Sequence, residues 1–417
     1  MGFTGIDYSH LKTSLHFQRQ RNKDRVLKLR RFTDQGNWQN PGNTPSDIGP
    51  DGLIAGNLPY IDQMPPEQAK AIAAIRDKIG QSRLGNQLLI IADQGQVQMG
   101  FELGGEGSGY EAAYYPTIRD VMINGDGSLL EAKSSRDFVA RAALYTAHEL
   151  GHVVQDYAIG ESGILDQLDV TTNVRDRLLA VRHMEAAAVA CSIQVAWDVK
   201  EAGDDSLWKI ALHTPGERSA ALAFGRLAVN DPEAAKDGRA RRLAHDDWFH
   251  DVARMNDYDE GTLDQFQAGL KVLAAQQQAG FPDPQAAETA KHAGKMMIGT
   301  SAFLDYTAMP DGVEHMRVGG DANFRDSQYR PLPNKRLAEK MIRLEAIAEK
   351  LRDNVPVHEA DFAQVAGVDA KYDDTEYAKP KPRDSDNGHP IAVSTLSSWR
   401  HNRASHAPTP TPTPGGR

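Results

Sequence analysis

The chain has 417 residues, a formal net charge of −10 at pH 7, 40% hydrophobic and 25% charged residues. This composition is that of a globular protein with a sizeable core, and its acidic balance argues against nucleic-acid binding. No apolar run approaches a membrane span and the N-terminus has no signal-peptide core, so we expect no stable membrane insertion. The single Cys191 excludes an intramolecular disulfide and fits a cytoplasmic location, with secretion by a non-classical route left open.

Both ends of the chain differ in composition from its middle. Residues 1–60 are predicted to form a basic arm and a linker, and the arm is either a solvated segment, which we favour, or a basic amphipathic helix. Residues 61–300 are expected to form the main domain and residues 301–370 a helical extension. Residues 371–417 are rich in polar residues and proline, which predicts a disordered tail. The basic residues of the arm are Lys12, Arg19, Arg21, Lys23, Arg25, Lys28, Arg30 and Arg31.

The first third of the predicted domain has the pattern of a small β-sheet. Leu88–Ala92 is a short apolar run, and Val97–Leu103 alternates with a period of two. A glycine-rich turn separates these from another strand-like stretch, Tyr110–Ile123. Because Pro116 would interrupt a central ladder, we expect that stretch to lie at the edge of the sheet.

The most informative motif is H-E-x-x-H, formed by His148, Glu149 and His152 within a helical segment. Histidines four residues apart on a helix share one face and can hold one metal ion. The glutamate then points to the open side of the metal, where it can take a proton from the water that the ion activates. The alternative interpretation is a pair of surface histidines on an alanine-rich helix.

The helix that carries this motif has clear end signals. Ser134–Ser135 offers an N-cap, and Gly160 is a plausible terminator at the other end. Gly151 is unfavourable inside a helix by about 1 kcal/mol relative to alanine. A glycine at this position therefore indicates that another element approaches closely.

A catalytic zinc site needs a third protein ligand, and the next helical segment supplies a candidate. Glu185 lies on its apolar stripe, where a carboxylate is costly unless it is paired or bound to a metal. Asp166 and His183 remain alternative third ligands. Asp156, four residues after His152, is a candidate for orienting the imidazole ring.

HELGH followed by Met184-Glu185-Ala186-Ala187-Ala188 resembles the gluzincin branch of zinc metallopeptidases. More narrowly, it is similar to uncharacterised bacterial metallopeptidases with an HELGH helix and a later E-A-x-A helix. The resemblance implies an α+β, zincin-like fold with an edge strand above the metal. It also implies a Zn²⁺ site at His148, His152 and Glu185, with Glu149 as the general base. The glutamate follows later than in the thermolysin pattern.

The second half of the chain is predicted to be mostly helical, with segments near 214–230, 241–256, 261–278 and 284–297. Gluzincins often draw a tyrosine or histidine from such a region to stabilise the oxyanion. Tyr258, at an expected junction between two helices, is our candidate for this role. His245, His250 and Tyr306 are competitors for it.

The sequence thus predicts a zinc-dependent peptidase that acts on a peptide or protein substrate. The alternative from another class is a catalytically silent protein that keeps the fold and binds partners through its basic arm and tail. The pattern does not distinguish endopeptidase from exopeptidase action, nor does it indicate an oligomeric state.

Overall fold

A computed structural model describes residues 66–102, 111–116, 119–124, 135–159, 170–330 and 334–373. The predicted arm, the glycine-rich turn, Asp166 and most of the predicted tail lie outside these residues. The elements, in chain order, are α1 (Pro66–Gly80), α2 (Arg83–Gln94), β1 (Gln98–Glu102), β2 (Ala112–Tyr115), β3 (Asp120–Asn124), α3 (Ser135–Ile159), α4 (Val174–Glu201), α5 (Ser206–His213), α6 (Pro215–Asn230), α7 (Arg239–Trp248), α8 (Val252–Gln278), α9 (Pro284–Lys291), α10 (Thr300–Tyr306), α11 (Lys335–Arg352) and α12 (Glu359–Asp373).

The described strands form one sheet in the order β1-β3-β2, with β1 parallel and β2 antiparallel to the central β3. The prediction of a strand at Val97–Leu103 is confirmed as β1. The stretch 110–123, expected to be one edge strand, is instead two strands with Pro116 between them. Of these two, β2 lies at the edge, and β3 is central because it pairs with β1 on its other side.

The predicted strand at Leu88–Ala92 is wrong, because these residues belong to helix α2. Ser82 caps this helix by accepting a 3.0 Å hydrogen bond from the Gly85 N–H. Leu84, Leu88 and Ile91 then recur at helical spacing on its buried face. A short apolar run does not distinguish a strand from a buried helix, and here the cap and the helical period decide.

Helices α3 and α4 pack against each other at the centre of the molecule, and the prediction from Gly151 is confirmed. A Cβ atom added at Gly151 would lie 3.3 Å from Ala188 Cα on α4. The missing side chain therefore lets the two backbones approach. Within the described ranges, α4 is the one helix long and apolar enough to cross a membrane, and its apolar window is completely buried inside the protein.

The prediction of a mostly helical second half is confirmed, although one boundary is wrong. The break expected near Tyr258 instead lies at Phe249–Asp251, where Asp251 caps α8 by accepting from the Arg254 N–H. Helix α8 then runs uninterrupted through Tyr258 and Gly261 to Gln278. A second hydrophobic cluster joins the C-terminal part of α8 to α9, α11 and α12.

Candidate metal centre

The three predicted ligands come together between α3 and α4. Nε2 of His148 lies 3.2 Å from Nε2 of His152. Glu185 faces both rings, with Oε2 at 3.4 Å from His148 Nε2 and Oε1 at 3.5 Å from His152 Nε2. In the part of the chain that the structure describes, this is the one group of three or more His, Cys, Asp or Glu side chains whose ligand atoms all lie within 4.8 Å of one another.

These separations fit a zinc ion. Ligand atoms at 2.0–2.1 Å from a tetrahedral zinc stand about 3.3 Å apart. The two histidine nitrogens are 3.2 Å apart, and the two Glu185 oxygens lie 3.4 and 3.5 Å from one nitrogen each. Two imidazole nitrogens and one carboxylate are also a donor set that zinc prefers in catalytic sites. The side chains of His152 and Glu185 are each 1% exposed and that of His148 is 12% exposed, so the centre opens towards His148.

The ring of His152 is oriented by Gln155, which the sequence analysis did not select. Nδ1 of His152 lies 2.8 Å from Gln155 Oε1, and Gln155 Nε2 donates to the Met184 carbonyl at 2.9 Å. Since that amide oxygen is an acceptor, Nδ1 carries a proton, and in the neutral ring the lone pair therefore belongs to Nε2, which faces the centre. The predicted orienting role of Asp156 is wrong: Asp156 accepts instead from the Tyr114 hydroxyl at 2.9 Å. The signal in the sequence that could have identified Gln155 is its position three residues after His152 on the same helix.

The glutamate of the motif contacts the edge strand. The backbone N–H of Tyr114 in β2 donates to Oε2 of Glu149 at 2.7 Å, and the Glu149 side chain is buried. Burial raises the pKa of Glu149, and the charge of Glu185 adds to this, while the two histidines and the Tyr114 N–H oppose it. A buried carboxylate with a raised pKa beside three candidate metal ligands is suited to taking up a proton.

The charges of the candidate ligands shift one another's pKa values. Burial disfavours the protonated form of His152, but the Glu185 carboxylate outweighs it and raises the pKa of His152 to about 9. Burial also disfavours the charged form of Glu185, yet the neighbouring histidines lower its pKa below the usual range. The pocket therefore stabilises positive charge beside the ionised Glu185, as a cation-binding site requires.

Tyr258 is brought to the same site, from the interior of α8 rather than from a junction. Its side chain is buried, and its hydroxyl lies beside the Glu185 carboxylate. Burial, strengthened by the charge of Glu185, holds the pKa of Tyr258 well above its usual value. The phenol is thus a protonated donor at neutral pH, directly beside the third candidate ligand.

The remaining candidates lie elsewhere. His183 faces away from the centre, with Nδ1 at 3.2 Å from His245 Nε2 and Nε2 at 3.0 Å from the Phe324 carbonyl. The two imidazole rings stack at 5.2 Å within an aromatic cluster. The His250 side chain is 81% exposed beside Asp247. Tyr306 is buried against Phe303, at the end of α10.

Comparison with family models gives an independent finding. Residues 54–280, more than half of the chain, match the model of a family described as "Putative metallopeptidase family" (DUF6782). The chain belongs to this family. The matched region contains both helices that carry the three candidate ligands, as well as Glu149 and Tyr258. Comparison with curated proteins and with solved structures gave no match.

Proposed function

We propose that the protein is a zinc-dependent peptidase of gluzincin type, in which His148, His152 and Glu185 hold the metal. The observation that carries this proposal is the meeting of two histidine Nε2 atoms, 3.2 Å apart, with a buried carboxylate whose two oxygens lie 3.4 and 3.5 Å from one nitrogen each, a donor set suited to catalytic zinc. Membership of a metallopeptidase family supports a hydrolytic reaction at this centre.

Glu149 is the general base in this proposal. A zinc ion in such a site lowers the pKa of water from about 15.7 towards 7 and polarises a carbonyl group. Glu149 takes the proton of the attacking water and later delivers it to the leaving amine. The Tyr114 N–H holds one oxygen of this carboxylate, which fixes its orientation during both transfers.

Tyr258 keeps the role predicted from the sequence. As the scissile carbonyl becomes tetrahedral, negative charge develops on its oxygen, and a hydroxyl donor preorganised nearby stabilises it. Two observations support this role: the raised pKa of Tyr258 keeps its hydroxyl protonated, and that hydroxyl lies beside the Glu185 carboxylate. For this role, the Tyr258 hydroxyl must turn from Glu185 towards the substrate oxygen.

The experiment that tests the proposal compares peptide cleavage by wild type and Glu149→Gln at equal zinc content. The proposal predicts cleavage by the wild type and a large loss in the variant. This comparison also separates a peptidase from a catalytically silent protein that binds zinc, because such a protein would show no cleavage in either form.

A further inference from the structure

A buried ion pair joins the helix that carries Glu185 to the helix that carries Tyr258. Arg182, on α4, donates through Nε and Nη2 to the two carboxylate oxygens of Asp259, on α8, and the bond from Nε is 2.9 Å long. The two side chains are 4% and 1% exposed. Arg182 also donates through Nη1 to the backbone carbonyl of Tyr329 at 3.3 Å. The guanidinium is thus held in one orientation between α4, α8 and the segment that follows α10.

A second contact shows that α4 and α8 run antiparallel. Arg177, five residues earlier on α4, donates through Nη2 at 3.1 Å to Oε1 of Gln265, six residues later on α8. Going forward along α4 therefore corresponds to going backward along α8, at nearly one residue for one residue. Three residues forward on α4, at Glu185, correspond to about three residues back on α8, in the turn that contains Tyr258.

This register brings Tyr258 level with Glu185. Tyr258 lies seven residues before Gln265 and so shares the face of α8 that contacts α4. Its side chain is buried, and its hydroxyl lies beside the Glu185 carboxylate. The place of this hydroxyl therefore depends on how α8 is aligned with α4.

A buried pair with two parallel bonds determines alignment more than it determines net stability. Replacing a buried ion pair by well-packed apolar residues is often neutral or stabilising, because taking two charges out of water is costly. A guanidinium that donates two parallel bonds fits a carboxylate in a defined geometry. A shift of α8 by one residue would move Asp259 by about 1.5 Å along the helix axis and about 100° around it, which would break both bonds.

We propose that Arg182 and Asp259 are positioning residues, whose two hydrogen bonds fix the register of α8 on α4 and so hold the Tyr258 hydroxyl at the candidate metal centre. In this role neither residue touches the substrate or the reacting atoms. The inference rests on the proposed peptidase function, in which Tyr258 stabilises the oxyanion. The contacts of α3 with α4 then bring the candidate ligands together, and the contacts of α4 with α8 supply the donor.

The experiment is a double-mutant cycle between Arg182→Lys and Tyr258→Phe, measured on one peptide at equal zinc content. Lysine keeps the positive charge opposite Asp259 but cannot make two parallel bonds. Tyr258→Phe should lower kcat by about 100-fold, the usual cost of losing one oxyanion donor. Arg182→Lys should lower kcat by at least about tenfold with KM nearly unchanged, because the lost interaction belongs to the transition state.

The cycle separates positioning from a general effect on the fold. If Arg182 acts through Tyr258, adding Arg182→Lys to Tyr258→Phe should lower kcat by less than about threefold further, because the hydroxyl that it positions is already absent. Losses that multiply in the double variant would overturn the inference, and so would wild-type kcat in Arg182→Lys. Wild-type kcat in Tyr258→Phe would remove the oxyanion role of Tyr258, and the inference with it.

Arg241→Lys is the matched control. Arg241, on α7, is 1% exposed and makes the same two-bond contact with Asp311, at 3.0 and 2.7 Å. Helix α7 carries neither a candidate ligand nor Tyr258, so this variant should keep the kcat of the wild type. If Arg182→Lys does not fold, Arg182→Met/Asp259→Leu replaces it in the cycle with the same expected results, since buried pairs often tolerate the removal of both charges at similar volume.

Binding of a phosphinic peptide provides a readout apart from turnover. Its tetrahedral, anionic phosphorus group resembles the intermediate and can accept a hydrogen bond from Tyr258. Calorimetry on the zinc-loaded proteins should show binding at least about tenfold weaker in Tyr258→Phe and in Arg182→Lys, with little further loss in the double variant. Equal affinity of wild type and Arg182→Lys would overturn the inference. No peptide cleavage by the zinc-loaded wild type would instead refute the proposed function, so the two failures are distinguishable.

Discussion

The backbone N–H of Tyr114 donates to Glu149 Oε2 at 2.7 Å, while the hydroxyl of Tyr114 donates to Asp156 on the same helix at 2.9 Å. One residue of the edge strand is thus attached to α3 at two points about two helical turns apart. Because the first contact is to the proposed base, the position of strand β2 sets the orientation of that carboxylate. The predictions below test how the surrounding fold serves this centre.

The metal should depend on both histidines of the motif. We expect about one zinc per chain in the wild type, and loss of this zinc when His148 or His152 is changed to alanine, because two of three protein ligands come from these rings. Metal analysis of the purified proteins measures the zinc content of the wild type and of each variant. Full zinc occupancy in the double variant would exclude the site.

Glu185 should be the third ligand. Glu185→Ala is expected to weaken zinc affinity sharply, whereas His183→Ala should stay within roughly tenfold of wild type, because the His183 ring contacts His245 and Phe324 instead. Zinc should also stabilise the wild type against unfolding, by about 4 kcal/mol when free zinc is a thousandfold above Kd. Zinc titrations of both variants and melting with and without chelator measure these effects. A Glu185→Ala protein with wild-type affinity would rule out this ligand.

The contact between Gly151 and Ala188 should be essential for packing. Gly151→Val is expected to reduce the free energy of unfolding by about 1–3 kcal/mol, the usual cost of overpacking. It should also weaken zinc binding, because it forces apart the two helices that carry the ligands. Gly367→Val is the control: nothing lies within 4 Å of a Cβ added at Gly367, so its stability should change by less than about 0.5 kcal/mol. Urea unfolding measures both variants.

The buried histidine His315 should make stability fall on acidification. Burial, together with the charges of His245, Arg241 and Arg242, holds the pKa of His315 well below its usual value, so this residue is neutral when folded. The unfolded chain therefore binds more protons below about pH 6.5, and the stabilising contribution present above that pH is lost as the pH falls.

The effect of His315 is measured by urea unfolding between pH 7.5 and 5 with chelator present. Wild type should lose up to about 1.4 kcal/mol per pH unit more than His315→Leu below pH 6.5, because one titrating group differs. His250→Leu is the control, since the 81% exposed ring of His250 stays in water in both states. Equal pH slopes for wild type and His315→Leu would contradict the prediction.

Local signals in the sequence selected the three side chains that meet between α3 and α4, whereas the strand at Leu88–Ala92 and the helix break near Tyr258 were predicted wrongly. The i, i+4 histidines and a carboxylate on an apolar stripe are local signals, because helical geometry alone determines where such side chains point. Leu88–Ala92 was taken for a strand because a short apolar run fits both periods, and its capping residue Ser82 decides for a helix. Gly261 suggested a helix start, but tertiary packing keeps it inside α8.

Contacts between segments that are far apart in the sequence could not be predicted from its pattern. Tyr114 and Glu149 are 35 residues apart, and nothing in the alternation of β2 indicates that one of its N–H groups serves a side chain. Gln155 is local to His152, yet its second bond, to Met184, depends on how α4 packs. The pairing of Arg182 with Asp259 joins two helices whose relative position no periodicity encodes.

The most direct test of the central claim is cleavage of a peptide library by zinc-loaded wild type and Glu149→Gln, followed by mass spectrometry. The variant keeps the shape and hydrogen-bonding capacity of the side chain but cannot take the proton. The account predicts cleavage by wild type and a rate at least about 100-fold lower in Glu149→Gln, with equal zinc content in the two proteins. Equal rates in the two proteins, or no cleavage by either, would contradict it.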